Sequence, residues 1–313
     1  MKRLAGVLGA AVLAAGLAVA AHAEDKLRIV VITHGQAASA FWSVAKNGVV
    51  QAQKDLPGVT IEYRAPETFD MPQMQRLLEA AIAEKPDGLV VSIPDENAIG
   101  PEVETAVKSG IPVIVIDSGG SALSRKLGGL LFMGQDEYQA GVAAGKRVKA
   151  LGLSHGVCVN HEVGNVSLDD RCRGFQDGIG AKAPVLNGVM DPTEMKGRIL
   201  GFLKTHPDTD FILTVGSAGA DPALAAVDEA GLTGKIKLGT FDLSPTILQA
   251  VAAGKMEWGI DAQQYLMGYI PVAMFDLMKR YKLEPIEDYP TGPGFVGKAE
   301  ASSVVDLAKQ GVR

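Results

Sequence analysis

Short apolar runs that stop at Gly, Pro or Asp alternate along this chain with amphipathic stretches about 12 to 16 residues long. A short apolar run closed by turn residues suits a strand covered on both faces, and the longer stretches suit the helices that cover it. The alternation therefore points to an α/β fold built on parallel sheets. Strand-like runs fall at residues 27–32, 60–63, 88–92 and 112–116, with helical stretches at 41–56, 71–84 and 98–109 between them. The rhythm restarts with a short strand at 130–133 and runs on through strands at 156–160, 210–215, 235–240 and 256–260. Helices at 137–150, 168–179, 196–205, 223–230 and 245–253 accompany them, and the register of the last long helix, 265–281, lets it return to the first half. Two similar halves joined by more than one chain crossing make a clamshell of two Rossmann-like lobes.

An apolar leader precedes this pattern. Lys2 and Arg3 open an uncharged run rich in Ala, Leu and Gly, and Ala21-His22-Ala23 sets small residues where a signal peptidase reads, so a signal peptide over 1–23 with cleavage after Ala23 is expected. The competing reading is a membrane anchor, since about 18 uncharged residues approach the shortest span. Weak hydrophobicity and the small-residue exit favour export to the periplasm, and no Cys follows the run to carry a lipid.

Without Lys2 and Arg3, 28 basic residues face 36 acidic ones, a net charge near −8 at neutral pH that argues against nucleic acid as a partner. The two cysteines, Cys158 and Cys172, lie 14 apart in a chain bound for an oxidising compartment. They form either a disulfide or two buried thiols. No metal is expected, because His161-Glu162 lacks a second histidine at ligand spacing. No cofactor is expected either: a phosphate loop, a Gly-x-Ser-x-Gly elbow and a His-Glu-x-x-His pair are all missing from the sequence.

Open parallel sheets bind ligands beyond the carboxyl ends of their strands. Here those ends read Thr33-His34-Gly35-Gln36, Ser92-Ile93-Pro94, Asp117-Ser118-Gly119, Asn160-His161-Glu162, Gly216-Ser217-Ala218-Gly219 and Phe241-Asp242. These are hydrogen-bonding groups with few cations. His34 and His161 face the cleft in this reading; either donates to a hydroxyl or, protonated near pH 6, meets an anion, and the equal alternative is a neutral histidine bonded to nearby backbone. Asp169 and Asp221 are read as helix caps.

Five segments in this order resemble the periplasmic sugar-binding proteins of the ribose-binding type, whose fold is shared by lac-repressor-family effector domains. They are Phe41-Trp42, Ile111-Pro112-Val113-Ile114-Val115-Ile116-Asp117, Arg171-Cys172-Arg173-Gly174-Phe175, His206-Pro207-Asp208 and Gly239-Thr240-Phe241-Asp242. The resemblance implies a sugar held between lobes, with Phe41 and Trp42 stacked on its C–H faces, Asp117 and Asp242 accepting from its hydroxyls, and Arg171 donating to it. It also implies a three-crossing hinge, which divides the chain into a first lobe of 24–133 plus 263–291 and a second of 134–262 plus 292–313. Hinge points fall near Met133-Gly134, 260–263 and 291–294.

The departures from the family bear on the ligand. The second-lobe aromatic is replaced by Asp191-Pro192-Thr193, and the arginine after the first strand-end aspartate is Ser118. The asparagine after the strand at 211–215 gives way to the run ending in Gly219, and the third-crossing glutamine falls on Ala262, with Asp261, Gln263 and Gln264 as substitutes. The longer first loop adds His34 and Gln36. Ligand contacts are thus expected from His34, Gln36, Phe41, Trp42, Asp117, Asn160, His161, Arg171, Gly219, Asp242 and Gln263. A monomeric receptor that delivers a sugar or polyol to a membrane ABC permease is the expected function, with a chemoreceptor as a further partner. The alternative is a periplasmic sugar-processing enzyme using Asp117 and Asp242 as its carboxylate pair.

Overall fold

The structure is a computed structural model that describes residues 26–37, 39–181 and 183–313; the proposed signal segment lies outside the described residues. The chain runs through β1 (Leu27–Ile32), α1 (Ala40–Asp55), β2 (Val59–Arg64), α2 (Met71–Ala83), β3 (Gly88–Val91), α3 (Glu96–Lys108), β4 (Val113–Ile116), α4 (Gly120–Lys126) and β5 (Leu131–Gly134). It then crosses to a second sheet. There it forms α5 (Glu137–Ala150), β6 (Gly156–Asn160), α6 (Val166–Ile179), β7 (Val185–Asn187), α7 (Pro192–Thr205), β8 (Phe211–Thr214), α8 (Ser217–Glu229), β9 (Lys237–Phe241), α9 (Pro245–Ala252) and β10 (Trp258–Asp261). A second crossing returns it to the first lobe as α10 (Gln264–Tyr281) and β11 (Tyr289–Pro290), and a third leads to β12 (Gly294–Val296) and α11 (Lys298–Lys309).

The sheets have the orders β11-β5-β4-β3-β1-β2 and β12-β10-β9-β8-β6-β7. All pairs are parallel except β12 against β10. Side chains of a strand alternate between faces, and the core follows that period. Ile29 and Val31 of β1 pack toward α1 and α10, while Val30 and Ile32 pack toward α2 and α3. In the second lobe Val157 and Val159 of β6 join the helices α7, α8, α9 and α11, and Cys158 between them joins α5 and α6. The strands β3, β4, β5, β6 and β8 are buried at every position, which explains why they read as unbroken apolar runs.

The short strand at 130–133 is β5 of the first sheet, and it runs one residue further, to Gly134. α4 and β7 carry too little pattern to be read, α4 because it starts at Gly119-Gly120 without apolar periodicity and β7 because it is a three-residue strand at the sheet's edge.

The three crossings lie side by side. Thr291 donates its backbone N–H to Gly134 O at 3.0 Å, and Gln263 Nε2 donates to Thr291 O at 2.5 Å. A Cβ on Gly292 would lie 2.7 Å from Gln135 Oε1 and 2.9 Å from Asp261 O, so close approach of three segments, rather than a positive φ, requires glycine there. On the cleft side the lobes touch each other. Val166 N–H donates to Pro94 O at 3.0 Å, and Asn165 Nδ2 lies 3.2 Å from His34 Nε2. Among the described residues no helix is long and apolar enough to cross a membrane.

Candidate ligand-binding site

A cavity of about 740 Å³ opens between the lobes at the carboxyl ends of β1, β4, β6, β8 and β9. Both sheets contribute an aspartate held in the left-handed region: Asp117 after β4 has φ +59°, and Asp242 after β9 has φ +68°. That conformation is strained for residues other than Gly, Asn and Asp, and it turns each strand end sharply at the cleft. Neither aspartate is an N-cap of the helix that follows it, since those positions belong to Gly119 and Ser244.

Asp117 accepts from Ser118 Oγ at 2.8 Å, and Asp242 Oδ2 accepts from the Ser217 N–H that opens α8, at 3.2 Å. The other oxygen of Asp242 is buried without a hydrogen-bond partner. Burial raises both carboxyls to about 6, against a pull the other way from Arg171.

Arg171, on α6, is 3% exposed. Its Nε and Nη2 grip Glu137 at 2.6 and 2.8 Å, and Nη1 donates to Val215 O at 2.7 Å. The guanidinium lies over the Phe241 ring at 4.5 Å, and its Nη1 is 3.9 Å from Asp242 Oδ1. Three of its five N–H groups are therefore committed, and two remain for a ligand. Glu137, also buried, accepts in addition from Gln135 in the first crossing, at 2.8 Å.

An aromatic wall faces this polar one. Phe41 and Trp42 meet edge to face with centroids 4.8 Å apart, and the His34 ring meets Trp42 at 4.9 Å and Phe69 at 5.8 Å. Ser39 caps α1 and so fixes the turn that carries Phe41 and Trp42. Trp42 is both core and cleft, being 4% exposed and packed with the α1 and α10 cluster. His34 Nδ1 lies 2.9 Å from Ser92 Oγ; the Asn165 amide N–H at its Nε2 assigns the proton to Nδ1.

The histidines are not cationic. Burial, with Arg171 adding repulsion, lowers His34 to about 3 and His161 to about 4. Of the alternatives for these histidines, burial favours the neutral ring over one protonated near pH 6 to meet an anion. His161 packs over Gly216, where a Cβ would lie 2.4 Å from its Cε1, and its Nδ1 has no partner. Next to it Glu162 accepts from Asn165 Nδ2 at 2.9 Å and lies 3.7 Å from His34 Nε2 across the cleft. Burial raises Glu162 to about 7.

Of the expected contacts, the cavity brings together His34, Gln36, Phe41, Trp42, Asp117, His161, Arg171 and Asp242. Gln36 sits at the exposed rim with its amide on Glu67 O. Asn160, Gly219 and Gln263 are not in the lining. Asn160 points back to Asp169 at 2.7 Å and holds the Glu162 N–H at 3.0 Å, Gly219 packs on Thr214, and Gln263 serves the hinge. Asp169 and Asp221 do not cap helices: Asp169 accepts from Asn160, and Asp221 lies inside α8. Reasoning from strand ends missed Thr68 and Phe69 in the loop before α2, Asn165 before α6 and Met190 before α7, and it named Glu162 at a strand end without counting it as a ligand contact. The stretch Asp191-Pro192, read as a lost aromatic, does line the cavity.

Cys158 and Cys172 are joined by a disulfide with Cα atoms 5.6 Å apart. It fastens β6, which leads to His161, to α6, which carries Arg171. Among the described residues no cluster of His, Cys, Asp or Glu is arranged to hold a metal.

Residues 29–282 match the model of the periplasmic binding protein domain. The chain belongs to that family. A solved carbohydrate transporter from Acidothermus cellulolyticus, in complex with myo-inositol, is 33% identical and superposes with a TM-score of 0.85 over 92% of this chain and all of its own. The D-ribose/D-allose-binding protein of Pseudomonas aeruginosa is 26% identical over 254 residues, covering 76% of this chain and 78% of that protein. The xylose/arabinose-binding protein of Sulfolobus acidocaldarius is 26% identical over 67% of this chain, a match that spans only 56% of the relative's length.

Proposed function

We propose that this protein is the solute-binding component of an ABC importer: it captures a sugar or cyclitol between its lobes and presents the closed form to a membrane permease. The observation that carries this reading is the pairing, in one interlobe cavity, of an aromatic wall from one lobe with a left-handed strand-end aspartate from each. A carboxylate accepts from two adjacent hydroxyls, and an aromatic face covers the apolar side of a ring at low entropy cost. The two free N–H groups of Arg171 donate to ring or hydroxyl oxygens.

The similar proteins are binding proteins of transport systems, which supports a receptor over an enzyme. We assign it to the periplasm as a monomer, exported by a signal peptide cleaved after Ala23; the intact mass of the secreted protein tests the cleavage. Calorimetry and thermal shift with myo-inositol, ribose, allose, xylose and arabinose test the ligand class. A ligand at about 100 times its Kd stabilises by about 2.7 kcal/mol. That shift should vanish in folded Asp117→Ala and Asp242→Ala proteins. Stabilisation by amino acids or nucleosides alone would refute the assignment.

A further inference from the structure

Among the described residues lining the cavity, Arg171 is the sole lysine or arginine. Its charge is already matched by the bidentate contact with Glu137. Among the described residues Asp117 and Glu162 therefore face the cavity with no Lys or Arg at ion-pair distance, and Asp242 has only a long contact with the already engaged Arg171, 3.9 Å from Nη1 to its Oδ1. The histidines do not make up the deficit, because Asn165 donates to His34 Nε2 and burial keeps both rings neutral.

The hydrogen-bond inventory has the same imbalance. Asp242 Oδ1 is fully buried with no hydrogen bond, and His161 Nδ1 is likewise unpartnered. The donors along the wall are the two remaining N–H groups of Arg171, the Trp42 indole, one ring N–H of the neutral His161, the Gln36 amide at the rim and a few hydroxyls that accept as readily as they donate, against the six oxygens of three carboxylates. A neutral polyol brings acceptors and donors in equal measure. An ammonium group brings three donors, no acceptor and a positive charge.

We propose that the preferred ligand is an amine-bearing polyol, an amino sugar or aminocyclitol, whose ammonium group sits among Asp117, Asp242 and Glu162. This rests on the sugar-or-cyclitol reading above and narrows it. A buried carboxylate without a partner is costly, and a cation brought by the ligand offsets that cost in the closed state only. The three carboxylates also repel one another, which a shared cation relieves: Asp242 acts on Asp117, and both act on Glu162. Glu162 is the specificity-determining member, since it belongs to neither strand-end aspartate position and reaches the cleft from the loop before α6.

The test is calorimetric titration of the mature protein at pH 7.5 with matched sets, each amine beside its neutral parent: glucosamine with glucose, galactosamine with galactose, mannosamine with mannose, and scyllo-inosamine with scyllo-inositol and myo-inositol. N-acetylated hexosamines serve as uncharged controls of the same substitution. The expected result is that the tightest ligand is an amine, at least tenfold tighter than its parent, with the gain removed by acetylation. Glu162→Gln should bring the amine-to-parent ratio toward one. A neutral parent that binds as tightly as its amine, or tighter, overturns the amine assignment and leaves the sugar reading standing. If no carbohydrate in the set or among the pentoses binds, while amino acids or nucleosides do, both readings fall.

Discussion

In the first lobe the cleft is walled by Phe41, Trp42 and Phe69 around a neutral His34, whereas the second lobe presents Arg171, Asp242, His161 and Glu162. The first wall is held by packing: Trp42 is anchored in the hydrophobic core that α1 shares with α10. The second is held by a buried ion pair and a covalent bond, through Glu137 on α5 and the disulfide between β6 and α6. An apolar wall is stabilised by burial itself, so it needs no dedicated partners. A polar wall costs desolvation wherever a group lacks a partner, so it needs a built frame to keep its charges in place.

Breaking the ion pair tests that contrast most severely. Arg171→Met leaves Glu137 buried and unpaired, and urea unfolding should show a loss of about 3–5 kcal/mol. Most of it should return in the Arg171→Met/Glu137→Leu double variant; a double variant as unstable as the single would mean that the pair is not the frame. Next comes the disulfide. Replacing Cys158 and Cys172 together by Ala should cost about 3 kcal/mol for a closed loop of roughly 15 residues. No matching clip exists among the described residues of the first lobe.

The aspartates provide a subtler probe with the opposite sign. Burial raises Asp117 and Asp242 from 3.8 to about 6, so their ionisation opposes folding of the unliganded protein. Asp117→Asn and Asp242→Asn should each stabilise the free protein by about 1–3 kcal/mol at pH 7.5 while weakening ligand binding, and Asn tolerates the left-handed backbone. The advantage should shrink as pH falls from about 6 toward 3.8 and disappear below about 3, where the wild-type carboxyls are protonated in both states. Thermal melts across that range decide it, and an advantage that grows on acidification contradicts the assignment. The smallest effect belongs to the aromatic wall. Phe41→Ala should weaken ligand binding about tenfold, in keeping with the roughly 0.5–1.5 kcal/mol of an aromatic contact.

Much of this architecture was legible before any coordinates. The apolar runs at β3, β4, β6 and β8 announced strands buried on both faces, and the carboxyl ends of β4, β6 and β9 pointed to Asp117, His161 and Asp242. Asn160 shows where that logic stops: it is adjacent to His161, but its side chain turns to Asp169 while His161 enters the cleft. Successive residues at a strand end face opposite ways, and an error of one position exchanges a ligand contact for a supporting one. Phe69 and Glu162 lie in loops, where no periodicity marks which side chain faces the cavity.

The sequence by itself determined the two-lobed α/β class, the carboxylates at the strand ends and the shortage of cations among them, through local patterns of hydropathy, turn residues and charge. The aromatic pair Phe41-Trp42 was implied by the family resemblance. Only the tertiary structure decided that Arg171 is already bound to Glu137, that the histidines are neutral, and that Glu162 approaches His34 from the opposite lobe. Each of those facts depends on burial and on contacts between segments far apart in the chain, 34 residues for the ion pair and 131 for the contact of Asn165 with His34 between the lobes. Ionisation and hydrogen bonding respond to the surroundings that folding assembles, and a linear chain does not yet have them.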